Sequence, residues 1–286
     1  MSKTILVTGG AGFIGSHLCE RLVKDGHTVI SLDSYLFGSK ENHIEGVEYR
    51  TGHTKDIEVL VPEVPDLLYH LGEYARVEQS FKDIALVLDC NVIGTKAVVE
   101  FCRKRSCKLV YAGSSTKFAD GGIGRDQSPY AWSKASNTEL VRNYGQWFGM
   151  PYAIAYFYNV YGPRERGDKA SGTLIAIFNE QLRTHGNLTV HEPGTQNRNF
   201  THVKDIVDGL ILVGERGEGD EYGLGHPDTY SVLAVAEMFG GAMEMIPGAA
   251  GNRMSSQVDL KRATLELGWK PNHNLPDYIK ELLDEV

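Results

Sequence analysis

The sequence predicts an α/β protein built on a parallel β-sheet, followed by a smaller α/β unit, and three observations carry that expectation. Short β-branched runs alternate with helix-length amphipathic segments, the rhythm of βαβ units. A glycine-rich turn joins the first run to the first helix, and from about residue 160 the elements shorten and are broken by Gly and Pro. At 286 residues the chain exceeds the roughly 100–200 residues of an ordinary domain. We expect the larger unit over 1–165, completed by parts of 200–225, and the smaller mainly over 166–286.

Taken in order, the first strand is Thr4 to Thr8, and the first helix is Gly15 to Asp25. In that helix Ile14, Leu18 and Leu22 recur at four-residue spacing, and Gly26 supplies a stop. The second strand, from His27, ends at Asp33. Asp66 to Leu71, Lys108 to Gly113 and Tyr152 to Asn159 bring the strands to at least five, and Asp83 to Arg105 is the long helix between two of them.

Composition narrows the chemistry. Lys and Arg number 29 against 37 Asp and Glu, a formal charge of −8, and a phosphate-backbone binder would carry a basic excess. No run approaches the ~20 apolar residues of a membrane span, and the first residues lack the apolar stretch of a secretory leader, so a cytoplasmic location is expected. Cys19, Cys90, Cys102 and Cys107 form no CxxC pair and are expected as reduced thiols, with no metal site.

The first turn reads Thr8-Gly9-Gly10-Ala11-Gly12-Phe13-Ile14-Gly15, fitting GxGxxG at Gly10, Gly12 and Gly15 and GxxGxxG at Gly9, Gly12 and Gly15. Without Cβ atoms the turn can tighten and the backbone can approach a pyrophosphate, whose charge the N–H groups at the helix start favour. An ordinary Gly-rich turn is the alternative, weakened by the strand before, the helix after and Asp33, 18 residues past Gly15. An acid there accepts hydrogen bonds from an adenosine ribose and repels a 2′-phosphate, which favours NAD over NADP. The pattern predicts a Rossmann-type doubly wound sheet.

A second cluster carries reactivity. The strand from Lys108 ends in Ser114-Ser115-Thr116, at the edge where open α/β sheets bind ligands. Downstream, Ser128 is a good N-cap and Pro129 a good first helical residue, so Tyr130 and Lys134 share a helix face. A phenol of ordinary pKa ~10 is a poor base at neutral pH, and a neighbouring ammonium favours its ionised form. A serine hydroxyl can orient a substrate alcohol beside it. Taken alone, a YxxxK spacing is as compatible with a solvated helix face.

These motifs, together with Asn91-Val92-Ile93-Gly94-Thr95, Asn159-Val160-Tyr161-Gly162-Pro163-Arg164, Arg198-Asn199-Phe200-Thr201-His202-Val203-Lys204-Asp205 and Leu267-Gly268-Trp269-Lys270-Pro271, span nearly the whole chain in order. So patterned, the sequence resembles the NAD-dependent nucleotide-sugar epimerase/dehydratase family of extended short-chain dehydrogenases/reductases. The resemblance implies Ser114, Tyr130 and Lys134 as catalytic, with Tyr130 taking a proton from a sugar hydroxyl, Ser114 bridging to that oxygen and Lys134 contacting the nicotinamide ribose. It places Phe13 and Ile14 against the pyrophosphate, Asn91 and Tyr158 along the cofactor, and adds Ser34, His53, Thr54, Leu71 and Gly72 to the cofactor set. Ser115 and Asn159 would contact the substrate, Arg198 its diphosphate, and the helices of Asp83 to Arg105 and Ser128 to Trp147 would form a homodimer through Leu86, Val98 and Leu140, or pack those residues on the sheet.

Within the resemblance, dehydratases and decarboxylases carry a Glu where this chain has Thr116, and dehydratases an Asp at Ser115. C4 epimerisation of a UDP-hexose through a transient 4-keto sugar is therefore expected. A nucleotide-sugar reductase, dehydrogenase or dehydratase on the same scaffold is the enzymatic alternative, and a dinucleotide-sensing protein the non-enzymatic one. His53, Phe118 and Tyr156 depart from the family's usual Asp, Tyr and Arg. Only 16 residues separate Ser114 from Tyr130, across a glycine-rich segment, so the sugar site is expected to be altered or more open.

Overall fold

The computed structural model of the protein describes residues 2–167, 172–248, 254 and 258–284. In chain order it contains β1 (Thr4–Thr8), α1 (Phe13–Lys24), β2 (Thr28–Asp33), β3 (Val47–Thr51), α2 (Ile57–Leu60), β4 (Leu67–His70), α3 (Ile84–Val87), α4 (Gly94–Arg105), β5 (Lys108–Ser114), α5 (Pro129–Phe148), β6 (Tyr152–Phe157) and β7 (Val160–Tyr161). There follow α6 (Leu174–His185), β8 (Asn187–His191), β9 (Asn197–Asn199), β10 (Thr201–His202), α7 (Val203–Arg216), β11 (Gly219–Leu224), β12 (Thr229–Ser231), α8 (Val232–Phe239), β13 (Ala242–Ile246), α9 (Lys261–Leu267) and α10 (Leu275–Asp284).

Seven strands form one parallel sheet in the order β11-β6-β5-β4-β1-β2-β3. Alternation along its strands feeds two cores. Ile5, Val7, Tyr69 and Val110 face α1, α7 and α9, where Leu18, Leu210 and Leu267 meet them. Leu6, Leu68, Leu109 and Tyr111 face the opposite way, against Val98 and Phe101 of α4 and Val141 of α5. Burial on both faces explains why these strands read as continuous apolar runs. A third core gathers Phe178, Leu188, Val190, Val235, Phe239 and Ile279 from α6, β8, α8 and α10.

The chain departs from the central β1 in both directions, to β2 on one side and β4 on the other. That reversal opens a crevice at the carboxyl ends of the strands, the place where doubly wound sheets bind dinucleotides. The long helix expected over 83–105 is broken into α3, a π-helical turn at Leu88–Ile93, and α4. Val98 is fully buried in the sheet-facing core and Leu140 packs against it, whereas Leu86 packs against a small cluster of Tyr74, Val87 and Cys90 away from the sheet. Exposed apolar residues on or beside those helices include Phe81, Ile84, Leu88, Ile93, Trp132, Trp147 and Phe148.

Candidate active site

The first turn is built by its glycines. Gly9 has φ +75, a conformation L side chains rarely adopt, and a Cβ there would lie 2.9 Å from Cα of Gly72, at the end of β4. At Gly15 a Cβ would lie 2.0 Å from the Gly9 carbonyl oxygen. That oxygen accepts from Gly12 N at 3.1 Å, closing the turn. Asp33, at the end of β2, accepts from Ala11 N at 2.9 Å and Tyr35 N at 2.8 Å. Burial pushes its carboxyl up, and the two backbone donors partly oppose that. Asp33 thus braces the glycine turn besides lining the cleft.

The cleft is lined by Gly9, Gly12, Asp33, Ser34, His53 and Thr54, with Leu71, Gly72 and Glu73 on its other wall. Burial lowers the His53 imidazole, and its Nδ1 accepts from Lys55 N at 3.0 Å. Phe13, Ile14 and Gly15 form the first turn of α1. Asn91 lies behind the cleft, fully buried on the π-helical turn. Its Oδ1 accepts from Tyr74 N at 2.7 Å, and its Nδ2 donates to Tyr74 O at 3.1 Å and Ser133 Oγ at 2.9 Å. Tyr158 is likewise buried, its ring against Gly225. Neither side chain belongs to the cleft lining.

Ser114 closes β5 and Tyr130 opens α5. Ser128 Oγ caps that helix by accepting Ala131 N at 3.1 Å, with Pro129 at its first position. The Tyr130 hydroxyl donates to Ser114 Oγ at 3.2 Å, and Ser114 Oγ also meets Thr116 Oγ1 at 2.8 Å. One turn further along α5, Lys134 is buried and donates to Glu73 and to the Ala112 carbonyl. Ser115 is buried beside Ser114. Sequence reasoning passed over Glu73, although a carboxylate three residues past the last residue of β4 sits at the ligand-binding edge of the sheet.

The glycine-rich segment is wound into tight 3-10 turns over Ser115–Asp126, with positive φ at Asp120, Gly121 and Gly122. Two departures from the family pattern meet beneath it. The Phe118 and Tyr156 rings pack edge to face at 4.8 Å, Lys117 Nζ donates to Tyr156 OH at 3.2 Å, and that hydroxyl donates to Asp220 at 2.6 Å. Gly113 makes room, since a Cβ there would lie 2.6 Å from the Tyr156 ring.

A second pocket is lined by Asn159, Thr173, His191, Gln196, Arg198 and Phe200. Arg198 is buried, not on the surface, and donates to Asn197 O at 2.8 Å. Asn159, at φ +35, donates through Nδ2 to Asn199 O at 2.8 Å. Gln196 was not expected. Its Oε1 is buried without a protein partner, and it lies two residues before Arg198, the spacing that puts extended residues on one face.

Among the described residues no group of three His, Cys, Asp or Glu side chains could hold a metal ion, and no helix is long and apolar enough to cross a membrane. The four cysteines are buried and not disulfide-bonded.

Sheet order, glycine turn and strand-end acid define a dinucleotide-binding Rossmann protein of the extended short-chain dehydrogenase/reductase type. The model of the NAD dependent epimerase/dehydratase family matches residues 5–225, and the chain belongs to that family. Its cofactor is NAD. Similar proteins include UDP-glucuronic acid decarboxylase 1 of Xenopus tropicalis, 29% identical over 94% of this chain and 68% of the relative. An uncharacterized UDP-glucose epimerase of Bacillus subtilis is 31% identical over 96% and 94% of the two chains. Among solved structures, Thermus thermophilus UDP-glucose 4-epimerase in complex with NAD superposes with a TM-score of 0.89 at 29% identity, covering 98% of both chains.

Proposed function

We propose that the protein is an NAD-dependent nucleotide-sugar epimerase that inverts C4 of a UDP-hexose through a transient 4-keto sugar. The residues present fit the cofactor: a cleft at the sheet's switch point, floored by glycines whose Cβ atoms would collide with backbone, and an acid at the end of β2. Gly9, Gly12, Phe13, Ile14 and Gly15 would hold its diphosphate, Asp33 and Ser34 its adenosine ribose, and His53 and Thr54 its adenine. Leu71, Gly72 and Lys134 would complete the site, with Asn91 and Tyr158 supporting it from behind the cleft. When bound, NAD supplies a hydride acceptor that returns the hydride within one cycle.

The protein's own residues handle the proton and the position. Tyr130, acting as its phenolate, takes the proton from the sugar hydroxyl to become the phenol and later returns it, while Ser114 Oγ holds that oxygen. Asn159 and Ser115 orient the sugar, and Arg198 binds the substrate diphosphate from the second pocket, charge-assisted and buried. A homodimer through the helical segment 83–105 and α5, using Ile84 of α3, Leu88 and Ile93 of the π-helical turn and Trp132 of α5, and a cytoplasmic location complete the reading.

One observation carries the choice of reaction. Thr116 has no ionisable group, and its hydroxyl shares a hydrogen bond with Ser114 Oγ at 2.8 Å, so this position offers no acid or base for chemistry beyond C4. Epimerisation needs only the hydride and a single proton. Decarboxylation of a UDP-uronate is the second reading, favoured by the names of several relatives. Incubation with a panel of UDP-, dTDP-, GDP- and CDP-sugars, resolved by NMR, separates them. A 4-epimer of a UDP-hexose supports the proposal, and carbon dioxide released from UDP-glucuronic acid with no epimer formed overturns it.

A further inference from the structure

We propose that Glu73 is a positioning residue of this site: its buried carboxylate anchors the Lys134 ammonium, so that Tyr130 works beside a neutral ion pair and not beside an isolated cation. The inference rests on the assignment of Tyr130 as the proton-transferring group.

Four donors from three elements converge on this one carboxylate. Its Oε2 takes Lys134 Nζ from α5, and its Oε1 accepts from Thr95 Oγ1 of α4 at 2.9 Å, Tyr111 OH of β5 at 3.1 Å and Asn137 Nδ2 of α5 at 2.8 Å. The Glu73 and Lys134 side chains are 3% and 7% exposed. Both carboxylate oxygens accept from protein donors, so the group is held in place by its neighbours at the wall of the cleft. Lys134 is fixed from a second side by the Ala112 carbonyl, two residues before Ser114. The ammonium is thereby tied to the segment that follows β4 and to β5.

A buried ion pair is seldom a net source of stability, because desolvation offsets its Coulomb gain. What it supplies here is placement. Burial works against the Glu73 carboxylate, yet the charge of Lys134, with its hydrogen bonds, holds the group below its ordinary value, so the carboxylate is ionised.

The other titratable groups around the pair are His70, Tyr111, Cys90 and Tyr130. Burial pushes the His70 imidazole down to about 4 and raises the Tyr111 phenol and the Cys90 thiol, so near neutral pH these three are uncharged. His70 extends the network toward the glycine turn, with Nε2 on Thr95 Oγ1 at 2.9 Å and Nδ1 on Thr8 Oγ1 at 2.7 Å. Because Thr95 donates to Glu73, the simplest assignment has His70 donating from Nε2 and accepting at Nδ1. Removing the carboxylate's charge therefore leaves Lys134 as the one uncompensated charge of the network.

The test compares NAD-bound parent, Glu73→Gln and Glu73→Asp by ultraviolet difference titration, each against the same protein carrying Tyr130→Phe, so that the signal belongs to Tyr130 alone. In Glu73→Gln the pH of half-change should fall by about one unit or more, the effect of an unbalanced cation nearby. Glu73→Asp keeps the charge and should stay near the parent. Equal midpoints in all three proteins, with NAD still bound, overturn the proposal; a purely structural role would lower the melting temperature of both variants and leave the midpoints together. The readout needs no sugar substrate. A Tyr130→Phe protein with undiminished turnover would instead remove the assignment of the base.

Discussion

Replacing Gly15 by alanine would put a Cβ 2.0 Å from the carbonyl oxygen of Gly9, 2.8 Å from its carbonyl carbon and 2.9 Å from Cα of Gly10. Such atoms pack at ~3.5 Å, so the turn must open by more than about 1 Å. All three neighbours are backbone, and the Gly9 carbonyl is tied down by Gly12 N, so no side-chain rotation relieves the contact. Overpacking of this kind costs about 1–3 kcal/mol, enough to lower the melting temperature by several degrees. The larger effect falls on the cofactor. Displacing one backbone donor from a charged diphosphate forfeits about 1.5–3 kcal/mol, a 10- to 100-fold loss of NAD affinity. Isothermal titration calorimetry with NAD, alongside thermal melts with and without it, measures both. Affinity within twofold of the parent and an unchanged melt would show that the glycine turn does not cradle the diphosphate.

Three further outcomes follow from the same geometry. Tyr130→Phe removes one hydroxyl, donated to Ser114, and should cut turnover about 10²- to 10⁴-fold while NAD affinity and melting temperature stay near the parent's; undiminished turnover would refute its role. Asp33→Asn removes the charge that repels a 2′-phosphate, and the ratio of NAD to NADP affinity, from parallel titrations, should fall at least about tenfold; an unchanged ratio would refute the assignment. Glu165, buried beside Thr173 and Gly162, has its carboxyl pushed up to about 7 by burial. An unfolded Glu titrates near ~4.3, so between those values the folded chain keeps a proton that the unfolded chain releases. Stability is therefore full below the unfolded value and falls as pH rises toward 7, by on the order of 2–3 kcal/mol. Urea denaturation at pH 5 and pH 8 should show that loss in the parent and a smaller one in Glu165→Gln, and parallel behaviour would refute it.

What was legible in the sequence was local. The turn from Gly9 to Gly15, the acid at Asp33 and the capped start of α5 at Ser128 and Pro129 each declare themselves within a few residues. β3 did not, because Val47–Thr51 is a half-exposed edge strand with no continuous apolar run. The π-helical turn at Leu88–Ile93 carries no spacing signal of its own, yet it is what turns Asn91 inward. The partner of Glu73 is 61 residues away, and that of Phe118 is Tyr156. Pairings of that kind are made by the sheet that brings β4, β5 and β6 together, and no window of sequence contains them. Arg198 was legible through its resemblance, and Gln196, two residues earlier, was missed for want of one.

The central claim is that the hydride removed from the sugar returns to it within the same site. The direct measurement follows UDP-hexose epimers by NMR and bulk NADH absorbance in one reaction with added NAD. The account predicts conversion to the 4-epimer with the absorbance flat over many turnovers. Sustained production or consumption of NADH in proportion to sugar converted would contradict it and make the protein a net dehydrogenase or reductase.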